Sequence, residues 1–287
     1  MTAARPGAMD TGRTDTGRTD TGRTAADTYS HGHHESVLRS HRWRTAANSA
    51  GFLLPHLRPG LRLVDVGCGP GTITADLADA VAPGPVLGLD RVAGVVAQAA
   101  DEHRRANLRF AVGDAYALGL GDDSVDVVFA HQVLQHLSDP VAALAEWRRV
   151  TRPGGLVAAR DSDYGGFVWS PADPALDRWM ALYHDLTRRN RADADAGRSL
   201  HRWARAAGFA EVRVTTSTWT FHTAEERAWW GGTWADRVRT SAFAEQTLGY
   251  GLTTPDELAA IAAAFERWAD DPDGLFVVLH GEILATA

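Results

Sequence analysis

Cysteine is almost absent from the chain, since Cys68 is the only one among 287 residues. A single thiol cannot form a disulfide within the chain or build a cysteine-based zinc site. No run approaches the roughly 18 apolar residues of a membrane-spanning helix, and the start has no basic-then-apolar leader pattern. The formal net charge of −7 argues against a surface that coats nucleic acid, because such surfaces are basic. These absences predict a cytoplasmic globular protein.

The most informative stretch of the sequence is Leu63 to Ala78, which reads LVDVGCGPGTITADLA. Its apolar start predicts a buried strand, and Ile73 and Leu77 begin a helical spacing. Between the two lie three glycines at alternate positions: Gly67, Gly69 and Gly71. Glycine tolerates positive φ in a turn, and its missing Cβ lets backbone N–H groups approach a ligand. The pattern predicts the first strand–turn–helix unit of a nucleotide-binding sheet.

Two acidic residues indicate which nucleotide this turn would hold. Asp65 stands two residues before the first glycine, where a carboxylate would repel a pyrophosphate but suits a ligand with an ammonium group. Asp90 ends a second apolar segment, VLGLDRV, about 20 residues after the turn, where an acid accepts hydrogen bonds from ribose hydroxyls. The spacing Gly-x-Gly-x-Gly also differs from the Gly-x-Gly-x-x-Gly of dinucleotide enzymes.

The segment VDVGCGPG resembles motif I of the class I S-adenosylmethionine-dependent methyltransferases, in the small-molecule group that includes the ubiquinone and menaquinone C-methyltransferases. Four further segments follow in the order of that family. They are VLGLDRV (Val86 to Val92), LRFAVGDAYAL (Leu108 to Leu118), SVDVVFAHQVLQHLSDP (Ser124 to Pro140) and VTRPGGLVAARDSDY (Val150 to Tyr164).

The resemblance implies an α/β fold with a doubly wound, Rossmann-like sheet. Seven strands are expected, mostly parallel with the last antiparallel, with helices on both faces and a helical insertion before the last strand. We expect residues 1–26, which contain three copies of DTGRT, to be a disordered low-complexity tail. Residues 27–287 would form the methyltransferase domain, divided into an N-terminal helical lid (27–60), a cofactor-binding half (61–164) and an acceptor-side half (165–287).

The resemblance also implies a set of residues around S-adenosylmethionine. Asp114 would accept a hydrogen bond from the adenine amino group and Ala115 would offer its backbone N–H, although Asp114 also suits a turn or helix cap. The expected set is Tyr29, Asp65, Gly67, Cys68, Gly69, Gly71, Asp90, Arg91, Asp114, Ala115 and His131. No metal site is expected, although His31, His33 and His34 are grouped near the start of the lid.

Candidate catalytic residues lie where strands four and five end, because ligands of doubly wound sheets bind at the carboxyl edge. These candidates are His131, Asp161 and Tyr164. A base is needed only when the acceptor must lose a proton, and His131 has a suitable reference pKa. The alternative for His131 is that it touches the cofactor through its backbone only.

The predicted function is methyl transfer from S-adenosylmethionine to a small molecule by direct displacement. The alternatives are methylation of a protein or an RNA by the same fold, and a binding module for S-adenosylmethionine without catalysis. A nicotinamide-dependent dehydrogenase is disfavoured by the glycine spacing and by Asp65. We expect a small-molecule acceptor, no nucleic-acid partner, and a monomer or homodimer.

Overall fold

The computed structural model describes residue 27 and residues 43–287. The predicted tail, and the part of the predicted lid that spans residues 28–42, lie outside the described residues. Within the described residues, none of the helices has the length and apolar character that crossing a bilayer demands.

A central sheet of eight strands organises the structure. The strands are β1 (Leu63–Val66), β2 (Val86–Asp90), β3 (Leu108–Val112), β4 (Val125–His131), β5 (Thr151–Ser162), β6 (Val168–Ser170), β7 (Glu211–Phe221) and β8 (Leu275–Thr286). The first five lie parallel in the order β3-β2-β1-β4-β5. β1 and β4 are buried along most of their length, as expected of inner strands covered on both faces.

The last strand is antiparallel, which confirms the prediction. β8 lies between β5 and β7, pairing with Leu156–Ser162 along one edge and with all of β7 along the other. The strand count differs from the predicted seven because the three-residue β6 continues the β5 edge and pairs with the start of β8. The doubly wound α/β class is therefore confirmed, with one short strand more than predicted.

Helices cover both faces of this sheet. They are α1 (Ala46–Ser49), α2 (Thr72–Val81), α3 (Ala93–Glu102), α4 (Pro140–Val150), α5 (Pro174–Arg189), α6 (Ala196–Ala206), α7 (Ala224–Thr240), α8 (Ala242–Gly249) and α9 (Pro255–Asp270). Short 3₁₀ turns occupy Leu54–His56, Leu134–His136 and Tyr164–Gly166. Several helices begin at a residue whose side chain caps the helix and is followed by proline, as at Asp139–Pro140 and Thr254–Pro255. The capping side chain accepts a hydrogen bond from a free N–H of the first turn, and proline suits the first helical position.

Three apolar clusters hold the layers together. One packs α1 and α2 against one face of the sheet through residues such as Leu53, Leu77 and Phe129. A second packs α4 and α6 against the other face. The third is aromatic and joins α5 to the predicted insertion, which consists of α7, α8 and α9 and lies between β7 and β8. In this cluster Trp179 is fully buried, with its ring centroid 4.6 Å from that of Trp234 and 5.1 Å from that of Phe265.

Candidate functional site

The glycine turn after β1 depends on backbone conformations that glycine allows. Gly67, Gly69 and Gly71 have φ of 71°, 52° and 82°, a region that disfavours other side chains. A Cβ on Gly67 would lie 2.4 Å from Cγ2 of Val133, so the space is closed to any larger residue. The N–H groups of Gly67 and Cys68 both donate to the carbonyl of Leu89, at 2.7 and 2.9 Å, which ties the turn to β2.

Asp65 lies beneath this turn with only 3% of its surface exposed. Burial raises the pKa of its carboxyl to about 7; the nearby charge of Asp90 adds to the rise, and a hydrogen bond from Thr74 opposes it. That bond runs from the Thr74 hydroxyl to Asp65 Oδ2 over 2.6 Å. A buried carboxylate of this kind favours a cation, because a positive neighbour offsets the cost of removing the charge from water.

Asp90 ends β2 and braces the same turn. Its Oδ2 accepts from the N–H of Gly69 at 3.1 Å, and its Oδ1 accepts from the N–H of Val92 at 3.0 Å. Each carboxylate oxygen can accept more than one hydrogen bond, so both keep a site for a ligand hydroxyl. The geometry therefore suits the ribose contact expected of Asp90.

Two predicted residues near the adenine end already have protein partners. Asp114 Oδ1 accepts from the N–H of Tyr116 at 2.9 Å, which is the turn geometry that the alternative interpretation described. The carbonyl of Ala115 accepts from Trp147 Nε1 at 2.9 Å and fixes the loop that would present its N–H.

Asp27 joins three loops at this edge, a contact that the sequence did not indicate. Its carbonyl accepts from Arg91 at 2.8 Å. Its carboxylate accepts from the Tyr116 hydroxyl at 2.8 Å and from the N–H of Ser138 at 3.0 Å. Arg91 is therefore held at this edge by its hydrogen bond to Asp27 and not only by following β2 in the sequence. Asp27 belongs to no recognisable motif, so only the fold reveals this role. Tyr29, expected next to it on the cofactor, lies outside the described residues.

His131 ends β4 and is 6% exposed. Its ring centroid lies 5.6 Å from that of Trp219 on β7 and 6.0 Å from that of His280 on β8. Beside it, Gln132 Nε2 donates to the Ser162 hydroxyl at 2.7 Å and lies 3.0 Å from His280 Nε2. Sequence reasoning missed Trp219 and His280 because both come from strands far along the chain.

Asp161 is fully buried and lies on the α6 side of β5, away from the face of His131. Its Oδ1 accepts from the N–H of Gln135 at 3.2 Å, and burial raises its pKa to about 8. These contacts hold the loop after β4, so Asp161 has the contacts of a positioning residue.

Tyr164, predicted to lie at the acceptor, follows β5 and is 5% exposed. Its ring stacks on Tyr183 at 4.0 Å and on Phe167 at 4.5 Å between centroids, inside the aromatic cluster. The backbone turns after Asp163 and the ring packs in this cluster, so the catalytic role of Tyr164 stays a prediction.

A cavity of about 560 Å³ opens between the segment 47–56 and the sheet face of β5, β7 and β8. Arg160, Trp219 and Glu282 line it. Arg160 is paired in register with His131, so the cavity begins one strand away from the end of β4. In the part of the chain that the structure describes, no three potential metal ligands are grouped, and the histidines near residue 31 lie outside that part.

Comparison with known proteins adds independent support. Residues 64–159 match the family described as methyltransferase domain. The chain is 32% identical over 275 residues to an uncharacterized methyltransferase of Schizosaccharomyces pombe, covering 89% of this chain and 95% of the relative. It is 40% identical over 126 residues to a demethylmenaquinone methyltransferase of Beutenbergia cavernae, covering 44% of this chain and 50% of the relative.

A solved structure shows the same fold at low identity. Phosphoethanolamine N-methyltransferase 2 of Haemonchus contortus, in complex with S-adenosylhomocysteine, aligns with a TM-score of 0.51 and 16% identity over 80% of this chain and 49% of that one. The chain belongs to the S-adenosylmethionine-dependent methyltransferases, which confirms the resemblance seen in the motifs. The cofactor is S-adenosylmethionine, and the glycine turn after β1, together with Asp65 and Asp90, fits it.

Proposed function

We propose that the protein methylates a small molecule, and that the residues at the carboxyl edge of β1, β2 and β4 hold the reactants. Asp65 would face the ammonium group of the cofactor, and Asp90 would accept from its ribose hydroxyls. Asp114 and the N–H of Ala115 would face the adenine ring, and Tyr29, Arg91 and Cys68 complete the proposed contacts.

The cavity next to His131 is the observation that carries the small-molecule assignment. Its volume of about 560 Å³ falls within the roughly 300 to 1000 Å³ of pockets for small ligands. It is partly covered by the segment 47–56, which Trp219 fixes by donating from Nε1 to the carbonyl of Asn48 at 2.7 Å. The net charge of −7 adds no attraction for a polyanion.

The sulfonium cofactor supplies an activated methyl group, so the reaction is a displacement at carbon. The protein has to align the nucleophile with that carbon and exclude water. His131 is buried at the end of β4, one strand away from Arg160, which lines the cavity. An imidazole at this position can accept a proton from a hydroxyl or an acidic carbon of the acceptor. Asp161 acts through the loop after β4, as a positioning residue.

Calorimetric titration with S-adenosylmethionine and S-adenosylhomocysteine tests the cofactor half of this proposal. We expect binding by the wild type and a loss of at least about tenfold in affinity for Asp90→Ala, which removes charge-assisted hydrogen bonds. Asp101→Ala is the matched control, because Asp101 is an exposed aspartate on α3 away from the turn. Equal affinities in the two variants would contradict the role of Asp90, and no binding by folded wild type would contradict the function.

A further inference from the structure

The cavity beside β5 contains a buried cation with unused hydrogen-bond donors. Arg160 is 1% exposed and stands on the sheet face that the cavity covers. Its Nε donates to the Ser217 hydroxyl at 3.0 Å and to Glu282 Oε1 at 3.3 Å. Its Nη1 and Nη2 are buried and have no hydrogen-bond partner among the described residues.

Glu282 is held in a position in which it accepts no hydrogen bond from Nη1 or Nη2 of Arg160. Its Oε1 accepts from Ser217 at 2.5 Å and its Oε2 accepts from Thr215 at 2.7 Å. Both hydroxyls come from β7, which is paired in register with β8 at this point. Glu282 thus contacts only the Nε side of Arg160 and cannot turn toward the Nη side without breaking these bonds.

Leaving donors of a charged group buried and unsatisfied is costly, and native structures avoid it unless another molecule supplies the acceptor. The guanidinium carbon lies 4.9 Å from the Trp219 ring centroid, a cation–π contact that supplies no hydrogen-bond acceptor. Burial lowers the pKa of Arg160 to about 9, with Glu282 opposing the fall and the charge of Arg44 adding to it. Arg160 is therefore still a cation at neutral pH.

The charged arginine and glutamate residues that line the cavity have a net positive charge. Arg160 and Arg213 are two cations, whereas Glu282 is a single anion. The remaining wall combines apolar residues such as Phe52, Pro55 and Leu284 with polar ones such as Asn48, His56 and Thr218. Such a cavity matches an organic molecule that carries one compact anionic group.

We propose that the methyl acceptor carries a carboxylate, and that the Nη1 and Nη2 groups of Arg160 bind this carboxylate inside the cavity. The inference rests on the proposed function, since it names the substrate class of that same site. A carboxylate matches two parallel guanidinium N–H groups, and this bidentate pair fixes orientation as well as position. The register of Arg160 with His131 places the anchored acceptor next to the proposed base.

The test is a calorimetric titration of the full chain loaded with S-adenosylhomocysteine. The probes are benzoate, phenylacetate and 2-naphthoate, each compared with its uncharged amide, and inorganic phosphate. We expect at least one of the acids to bind, and its amide to bind at least about tenfold more weakly, as the loss of a charge-assisted bidentate pair implies.

The decisive variant is Arg160→Gln with Glu282→Gln, which removes the cation without leaving its partner charge buried. It should lower the affinity for the acid by about tenfold or more while the affinity for S-adenosylhomocysteine stays unchanged. The matched control is Arg178→Gln with Glu257→Gln, because Arg178 and Glu257 form an ion pair of 2.8 Å in another part of the fold. If the double variant does not fold, Arg160→Lys replaces it, since lysine keeps the charge but lacks the two-nitrogen edge.

Three outcomes would overturn the proposal. They are acids that bind no better than their amides, an acid that binds the Arg160 variant as tightly as the wild type, and phosphate that binds more tightly than every acid. Failure of the proposed function has a different signature, because the protein would then give no heat with S-adenosylhomocysteine while the acids can still be titrated into the unloaded chain.

Discussion

Replacing Asp65 by asparagine is expected to stabilise the ligand-free protein while weakening its binding of S-adenosylmethionine. The carboxyl group is 3% exposed and has the charge of Asp90 nearby, so its ionised form is unfavourable in the folded chain. Asparagine is close in shape and still offers an oxygen to the Thr74 hydroxyl, whose bond to Asp65 is 2.6 Å long. It carries no charge, so it can no longer attract an ammonium group.

The size of the stabilisation follows from the pKa, which rises from 3.8 to about 7 on folding. Each tenfold change in the ionisation constant is worth about 1.4 kcal/mol, so the ionised carboxylate costs the folded state about 4 kcal/mol. Between these two pKa values the unfolded chain has released a proton that the folded chain still holds. The free energy of unfolding therefore falls as pH rises through this window, and the cost is complete above it.

The assay is urea unfolding of the ligand-free wild type and Asp65→Asn near pH 5 and near pH 8. We expect the advantage of the variant to grow by about 2 to 3 kcal/mol between the two pH values. Asp101→Asn is the control, since it removes the same charge from an exposed position of α3 and should change stability by less than about 0.5 kcal/mol. Asp161, whose pKa is also raised, contributes equally to all three proteins.

The same variant should bind S-adenosylmethionine about 10- to 100-fold more weakly, because a hydrogen bond to a charged group contributes about 1.5 to 3 kcal/mol. The reasoning would be refuted if Asp65→Asn showed the pH dependence of the wild type, or if it were less stable than the wild type near pH 8. Unchanged cofactor affinity would separately refute the ammonium contact.

Three further substitutions test the packing around the site. Gly67→Ala should cost about 1 to 3 kcal/mol in chemical unfolding, because its φ is 71° and the new Cβ would lie 2.4 Å from Val133; adding Val133→Ala should recover part of the loss, and no recovery would contradict the clash. Trp179→Ala should cost about 3 to 5 kcal/mol in the same measurement, since the side chain is fully buried; a loss below about 1 kcal/mol would contradict its place in the core. Trp219→Phe should cost about 1 kcal/mol and speed hydrogen exchange of residues 46–56, because the bond to the Asn48 carbonyl is lost; unchanged exchange would contradict that anchor.

Much of the sheet could be predicted because its inner strands are nearly continuous apolar runs. The glycine turn after Val66 is defined locally, so the positions of Asp65 and the three glycines followed from a few neighbouring residues. An antiparallel last strand after a helical insertion was also expected, and it spans Leu275–Thr286. In these places the local pattern and the global fold agree.

The side-chain environment at the acceptor edge could not be predicted in the same way. Arg160 and Glu282 are separated by 122 residues and meet only because β8 turns back beside β5. Tyr164 follows β5 at the edge where ligands bind, yet its ring packs on Tyr183 in the core. Neither periodicity nor spacing reports the direction in which a residue points after a strand ends, so these contacts required the tertiary structure.

Incubation with methyl-labelled S-adenosylmethionine tests the central claim most directly. The full chain would be given the small-molecule fraction of a cell extract in one reaction, and the protein and RNA fractions in two others. We expect label to move into the small-molecule fraction together with release of S-adenosylhomocysteine, and Asp90→Ala to reduce this transfer. Label that appears only in protein or RNA would contradict the proposed acceptor class, and binding of the cofactor without transfer to any fraction would contradict catalysis itself.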